Sequence, residues 1–320
     1  MRKLLTGICI LLLILLIADI FAGNYLVTFA IARKDGVNSK VAPTPVTQTE
    51  AEQIIDQNVK AIYEDLDEWQ EASFTATKQI HSHDGLQLEA DYYETDPSSH
   101  RYAILIHGYT GNRSHMRPYG KYYQTQGYNL LMPDLRSHGG SEGDYIGMGW
   151  LDKDDIVKWI DLLVAEDPDA QIILHGVSMG GATVLMTSGE QLPSNVKAIV
   201  DDCGYTSVWD IFSDEVQYLF HIPTFPVLNT ASQISKLRAG YTFTEASSLK
   251  QVKKTNLPIF FTHGSLDNFV HTEMVYELYE ACPTAKELYV VEGAGHGQAM
   301  YMDPDLYFDK IFSFLDQFVD

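Results

Sequence analysis

Cysteine and cationic side chains are the scarce elements of this sequence. Only three cysteines occur in 320 residues. Cys9 falls in an apolar run, and Cys203 and Cys282 lie far apart in the chain. One disulfide is allowed, but no disulfide framework is implied. No cysteine–histidine cluster has the spacing of a zinc site. Lys and Arg total 22 against 43 Asp and Glu, for a net charge of −21. A surface this acidic repels phosphate backbones, which argues against nucleic acid as a partner. There is no internal repeat. What remains is ordinary globular composition, 45% hydrophobic and 20% charged, in a chain long enough to bury a large core.

The N-terminus carries a membrane or export signal. Arg2 and Lys3 precede an apolar run from Leu4 to Ile17, and apolar character continues past Asp19 and Asn24 to Ala32. A charged flank before an apolar run is the pattern of a signal segment, and about 20 apolar residues suffice to span a bilayer. Two outcomes are open: an uncleaved anchor with the rest of the chain outside the cytoplasm, or secretion after cleavage behind Ala22 or Ala32. Asp19 is costly at mid-bilayer, and Arg33 and Lys34 on the far flank blur the charge asymmetry that sets orientation. The anchor is the favoured reading.

The chain divides into a membrane or signal segment (1–34), a polar linker with Pro43 and Pro45 (35–48), an amphipathic helix (49–72) and a main domain (73–320). Thr49-Glu50-Ala51-Glu52 is a capping box. It opens a helix with Ile55, Val59, Ile62, Leu66 and Trp69 on one face. From Phe74 onward, short apolar strands alternate with helices. The first two strands form a hairpin around Asp84-Gly85. That rhythm predicts a mostly parallel sheet covered on both faces. One interval breaks it. Roughly 55 residues separate the strand ending near Asp201 from the one starting near Leu257, where a crossover needs about a dozen. The excess, rich in Trp209, Phe212, Tyr218, Phe220, Phe225, Tyr241 and Phe243, predicts a cap at about 204–252. It would sit over the carboxyl ends of the strands, where ligands of such sheets bind.

Gly176-Val177-Ser178-Met179-Gly180 fits the G-x-S-x-G nucleophile elbow. A serine on a strained strand-to-helix turn needs small neighbours, which Gly176, Gly180 and Gly181 provide. A serine hydroxyl also needs a base, and the base an orienting carboxylate. His296, in the small-residue loop Gly293 to Gly297, stands where the base belongs. His263 is expected to shape a loop, and His271 to begin a helix as an exposed cap. Asp267 is the preferred acid, with Asp201 and Asp202 as alternatives. The oxyanion hole calls for two backbone N–H groups, assigned to Met179 and to Tyr109, with Thr110 as the next choice. His107 reads as structural. Asp134 and Arg136 are expected to tie the glycine-rich loop from Pro133 to Ser141. His81 and His83 form an H-x-H pair without a third ligand, a poor metal site.

These signatures, in order from His107-Gly108 through the Asp134–Ser141 loop and the Ser178 elbow to Asp267 and His296, resemble the α/β-hydrolase superfamily over residues 74 to 320. The N-terminal segment, Trp150-Leu151-Asp152 and the run Asp202 to Ser207 are similar to a bacterial group of cell-surface or extracytoplasmic α/β hydrolases. His271 departs from the proline common at that position. The resemblance implies the α/β-hydrolase fold with a small helical cap, preceded here by an N-terminal hydrophobic anchor helix. It implies a serine esterase that needs neither cofactor nor metal. The triad Ser178, Asp267 and His296 would cleave small-molecule or lipid esters with apolar acyl or aryl groups through an acyl-enzyme. The alternatives are a lysophospholipase or monoacylglycerol lipase, a cell-surface peptidase, and a non-catalytic binding protein on the same fold.

Overall fold

The computed structural model describes residues 2–33 and 49–319; the linker expected at 35–48 lies outside them. Helix α1 (Arg2–Ile31) is followed by α2 (Glu50–Tyr63) and α3 (Leu66–Ser73). The expected capping box closes the N-terminus of α2: Thr49 Oγ1 accepts from the Glu52 N–H while the Glu52 carboxylate accepts from the Thr49 N–H. The single amphipathic helix expected to run on from here is in fact two. Asp65 leaves helical geometry (φ −116°, ψ 13°) and turns its carboxylate to Lys121 at 2.5 Å. The break lets Ile55, Ile62 and Leu66 all be buried, which one straight helix would have to achieve along a single stripe.

The sheet has eight strands: β1 (Ala76–His81), β2 (Gln87–Tyr93), β3 (Arg101–Ile106), β4 (Asn129–Pro133), β5 (Gln171–Val177), β6 (Val196–Asp202), β7 (Ile259–Gly264) and β8 (Lys286–Val291). Their spatial order is β1-β2-β4-β3-β5-β6-β7-β8. Only the β1–β2 and β2–β4 pairs are antiparallel. Gly85, at φ 92°, makes the turn of the first hairpin. Alternate residues go to opposite faces, as the pleat requires. In β3, Ile104 and Ile106 enter one core cluster and Ala103 and Leu105 the other. Helices α4 (Arg117–Thr125) and α12 (Pro304–Leu315), the latter preceded by the short α11 (Ala299–Met302), cover the second face; α5 (Asp152–Glu166), α6 (Met179–Thr187) and α10 (Glu273–Ala281) cover the first. The chain builds β4 on one side of β3 and β5 on the other, so the crevice at the carboxyl ends of β3 and β5 is the topological switch point where such sheets bind ligands.

The interval between β6 and β7 holds α7 (Val208–Phe220), α8 (Val227–Ala239) and α9 (Ser248–Val252). Of its aromatic residues, Phe212 and Phe243 stack edge to face at 4.8 Å. Tyr241 is buried and donates to the Ile146 carbonyl, whereas Tyr218 and Phe225 stand about three-quarters exposed, at 75% and 74%. All three cysteines are free thiols.

Helix α1 has two halves of opposite character. Residues 2–18 are all exposed, yet Gly23, Leu26, Val27 and Ile31 are buried, and the last three join the main core cluster. Gly23 lies so close to α8 that a Cβ there would come within 3.0 Å of the Ala231 nitrogen. Polar contacts extend the seam: Thr230 donates to Asp19, and Arg238 donates to Asn24 and Thr28. Ile146 N–H donates to the Ile31 carbonyl at 2.7 Å, and Arg33 N–H to the Asp144 carbonyl. Burying a side chain the size of Leu, Val or Ile stabilises by roughly 1.5–3 kcal/mol. A chain beginning at residue 23 therefore keeps most of its stability, losing only the Asp19–Thr230 bond, and one beginning at residue 35 loses several kcal/mol more in urea unfolding. Equal stability of the two would contradict this packing.

Candidate active site

Ser178 occupies the turn between β5 and α6 at φ 58°, ψ −117°, a conformation that non-glycine residues rarely adopt. Close packing imposes it. A Cβ on Gly176 would meet the Gly180 carbonyl oxygen at 2.0 Å, and a Cβ on Gly180 would meet the Ile106 carbonyl oxygen at 2.0 Å. The Ser178 N–H donates to the Asp202 carbonyl at 2.7 Å, pinning the turn to β6.

His296 Nε2 lies 2.8 Å from Ser178 Oγ, and His296 Nδ1 lies 2.7 Å from Asp267 Oδ2. The other Asp267 oxygen accepts from the N–H groups of Phe269 and Val270, both at 2.9 Å. The loops carrying Asp267 and His296 are laced together: Ser265 N–H donates to the Val291 carbonyl and Leu266 N–H to the Ala294 carbonyl. Gly264 allows that approach, since a Cβ there would stand 2.3 Å from the Ala294 oxygen.

His263 takes part more closely than a loop-shaping residue. It is fully buried, its Nε2 is 3.2 Å from Asp267 Oδ2, and it also lies 2.8 Å from the Val270 carbonyl. One carboxylate oxygen thus faces two imidazoles. Burial favours neutral Asp267, but the hydrogen bonds from His263 and His296 outweigh it and hold the carboxyl well below its usual range. Burial likewise opposes charge on His263, yet the bonds to Asp267 and Val270 raise its pKa. The i, i+4 spacing of His263 and Asp267 was the one sequence signal for this contact.

The two alternative acids point elsewhere. Asp202 accepts from the Tyr307 hydroxyl at 2.8 Å, and Asp201 accepts from the Gly204 N–H at 3.1 Å. Burial raises both, Asp201 to about 7 and Asp202 to about 6. Thr110 donates its N–H to His138 Nε2 at 3.3 Å, which leaves Tyr109 as the candidate donor in that loop. His107 is fully buried and accepts from the Leu135 N–H at 3.0 Å. Asp134 accepts from the Arg113 and Gly140 N–H groups at 2.7 and 2.8 Å. Arg136 reaches outside its loop, to Asp155 at 2.7 and 2.8 Å and to Asp84 at 2.9 Å. His271 is exposed, 3.9 Å from Asp214. Among the described residues, the two groups with ligand atoms within 4.8 Å of one another are Cys203–Asp267–His296 and His100–Asp167–Asp169; neither includes His81 or His83.

Ser178 separates two cavities. One, of about 210 Å³, is almost wholly apolar. It is lined by Tyr109 and Met179, by Phe212, Leu219, Phe220 and Phe243 from the β6–β7 interval, and by Leu26, Phe29 and Ala30 of α1. Glu215 is the one acidic side chain on its wall. The other, of about 360 Å³, is lined by Tyr63, His115, Tyr119, His296 and Tyr301, among others. The N-terminal helices thus contribute to both, which no local sequence motif signalled.

A family model described as the alpha/beta hydrolase fold matches residues 104–221. An uncharacterized Bacillus subtilis protein, YqkD, is 29% identical over 218 residues, 68% of this chain and 72% of its own. A carboxylesterase of the same organism is 25% identical over 232 residues, covering 67% of this chain and 92% of its own. The structure of a Pyrococcus furiosus esterase superposes with a TM-score of 0.64 at 23% identity, over 80% of this chain and 96% of that one. The chain has the α/β-hydrolase fold.

One buried carboxyl links this site's scaffold to pH. Asp152 is fully buried beside Arg136; its Oδ2 accepts from the Gly149 N–H at 2.8 Å while Oδ1 has no donor. Burial raises its pKa to about 7 against the opposing pull of Arg136. A folded-state pKa above the unfolded value of about 3.9 means that its contribution is fully present below pH ~4 and is lost as pH rises through about 7. Asp152→Asn removes that loss. Urea unfolding at pH 5 and pH 8 should show the variant gaining on the wild type at the higher pH. A difference independent of pH would contradict the assignment.

Proposed function

We propose that this hydrolase is a serine esterase that cleaves carboxylic esters with apolar acyl groups through an acyl-enzyme. The observation that carries the reading is His296, placed within hydrogen-bond reach of Ser178 Oγ on one side and Asp267 on the other. Ser178 Oγ attacks the ester carbonyl carbon while His296 Nε2 takes its proton. The new Oγ–C bond gives a tetrahedral oxyanion, which the Tyr109 and Met179 N–H groups stabilise. Met179 opens α6, so the positive end of that helix adds to the effect. The C–O bond to the alcohol then breaks, and His296 returns the proton to the leaving oxygen. Water repeats the sequence: its oxygen bonds to the acyl carbon, one proton passes through His296 to Ser178, and a carboxylic acid leaves. Asp267 keeps Nδ1 protonated and favours the imidazolium formed in each half.

The apolar cavity suits the acyl group and the second cavity the alcohol, because Ser178 stands between them. Helix α1, apolar and long enough as a whole to cross a bilayer, supports attachment to the cell membrane; placement of the catalytic body outside the cytoplasm is part of the same proposal. Ser178→Ala should lower kcat on p-nitrophenyl esters by roughly 10⁴–10⁶-fold without unfolding the protein. Asp267→Asn should be severe, and Asp202→Asn mild. Activity that survives Ser178→Ala would remove the nucleophile from the reading. A severe Asp202→Asn with a mild Asp267→Asn would move the acid.

A further inference from the structure

The apolar cavity has a wall that a soluble hydrolase body would not need. Leu26, Phe29 and Ala30 belong to the inner end of α1, the same helix whose outer half is exposed and, from Gly7 to Ala18, free of charged residues. Tyr109 ties the two together, donating its hydroxyl to the Ala30 carbonyl at 2.6 Å. Phe220 of the cap packs edge-on against Tyr25 and Phe29, with centroids at 6.3 and 5.8 Å.

The place where α1 leaves the body is also marked. Asp19 meets Thr230 and Gly23 abuts Ala231, both on α8. The segment leading into α8 and the end of α7 expose Tyr218, Leu219, Ile222 and Phe225. Large apolar side chains clustered on a surface mark an interaction site, and here they belong to the segment whose Phe220 packs on α1, a helix of bilayer-spanning length. Leu219 also lines the cavity, so apolar surface continues from the helix exit towards Ser178.

We infer that this cavity is the acyl site for a single-chain glycerolipid ester held in the bilayer, and that the anchor helix α1 forms one of its walls. The inference rests on the ester-hydrolase reading above. A bilayer source follows from the cost of the alternative: drawing an acyl chain of about 14 methylenes through water costs about 11 kcal/mol at roughly 0.8 kcal/mol each. An apolar path beside a membrane helix avoids that exposure. The cavity's size of about 210 Å³, below the roughly 300–1,000 Å³ of ordinary ligand pockets, leaves no room for a second chain and takes the carbonyl end of one. A hydroxyl-bearing headgroup follows from the phenols and imidazoles of Tyr63, His115, Tyr119 and Tyr301 across Ser178.

The test uses the full chain in phosphatidylcholine vesicles, with monooleoylglycerol in the bilayer and p-nitrophenyl acetate in solution. Phe29→Trp narrows the wall, and Leu12→Trp changes the helix outside the body. Phe29→Trp should lower kcat/KM on monooleoylglycerol by at least ~10-fold, and by a much larger factor than on p-nitrophenyl acetate, while Leu12→Trp alters neither. Phe29→Ala, which introduces no bulk, should move the preferred acyl length upward across a monoacylglycerol series. Equal losses on both esters with Phe29→Trp, or an unchanged length optimum with Phe29→Ala, would overturn the wall. Wild-type turnover of the acetate with none of the monooleoyl lipid, free or phosphorylated, would overturn the lipid substrate and leave the esterase standing. Folded protein that cleaves no ester at all would overturn both. Replacing monooleoylglycerol by lysophosphatidylcholine distinguishes a neutral glycerol headgroup from a phosphorylated one, and turnover of either supports the site.

Discussion

Everything at the site depends on one tightly packed turn. Ser178 is held in a backbone conformation that costs free energy, and the surrounding fold leaves it no other. Gly176 and Gly180 cannot accept a Cβ without striking backbone oxygens, so β5, β3 and α6 meet at that point with no room to relax. The Asp202 carbonyl fixes the Ser178 nitrogen from the neighbouring strand. The same junction is the switch point of the sheet. The loop after β3 therefore brings Tyr109 to the serine, and the loops after β7 and β8 bring Asp267 and His296 to its other side.

The second shaping constraint is the shared carboxylate. Asp267 is buried and meets four donor groups: two backbone N–H groups and two imidazoles. A buried carboxylate so fully partnered stays ionised and fixed in orientation. His263 makes this possible from inside the fold, where no solvent reaches. His296, by contrast, is part-exposed, with its ring centroid 5.0 Å from that of Phe269. Beyond these groups the N-terminal helices complete the site's walls, α1 on the apolar side and α2, through Tyr63, on the other.

The parts of this architecture that were legible in the sequence are those encoded locally. Glycines around a serine, an apolar strand before it and a helix after it specify a turn within a dozen residues. Strand and helix alternation likewise announced the parallel sheet, and Thr49 to Glu52 announced their capping box. What was not legible depends on contacts between distant segments. The break at Asp65 accompanies a contact with Lys121, far along the chain. The meeting of Asp267 with His296, and of Asp202 with Tyr307, joins segments far apart in the chain. The burial of Gly23, Leu26 and Ile31 is invisible in an apolar run that reads the same from Leu4 to Ala32. Its only hints were Asp19 and Asn24, polar residues that a purely lipid-facing helix would omit and that here meet Thr230 and Arg238.

The central claim is that Ser178 carries the acyl group during turnover, and peptide-mapping mass spectrometry reads it directly. The chain is quenched in acid during hydrolysis of a slowly turned-over p-nitrophenyl ester and then digested. The account predicts the mass of one acyl group on the peptide that contains Ser178, absent from the Ser178→Ala protein. An acyl group on any other residue, or an unmodified chain at every quench time despite steady turnover, would contradict it.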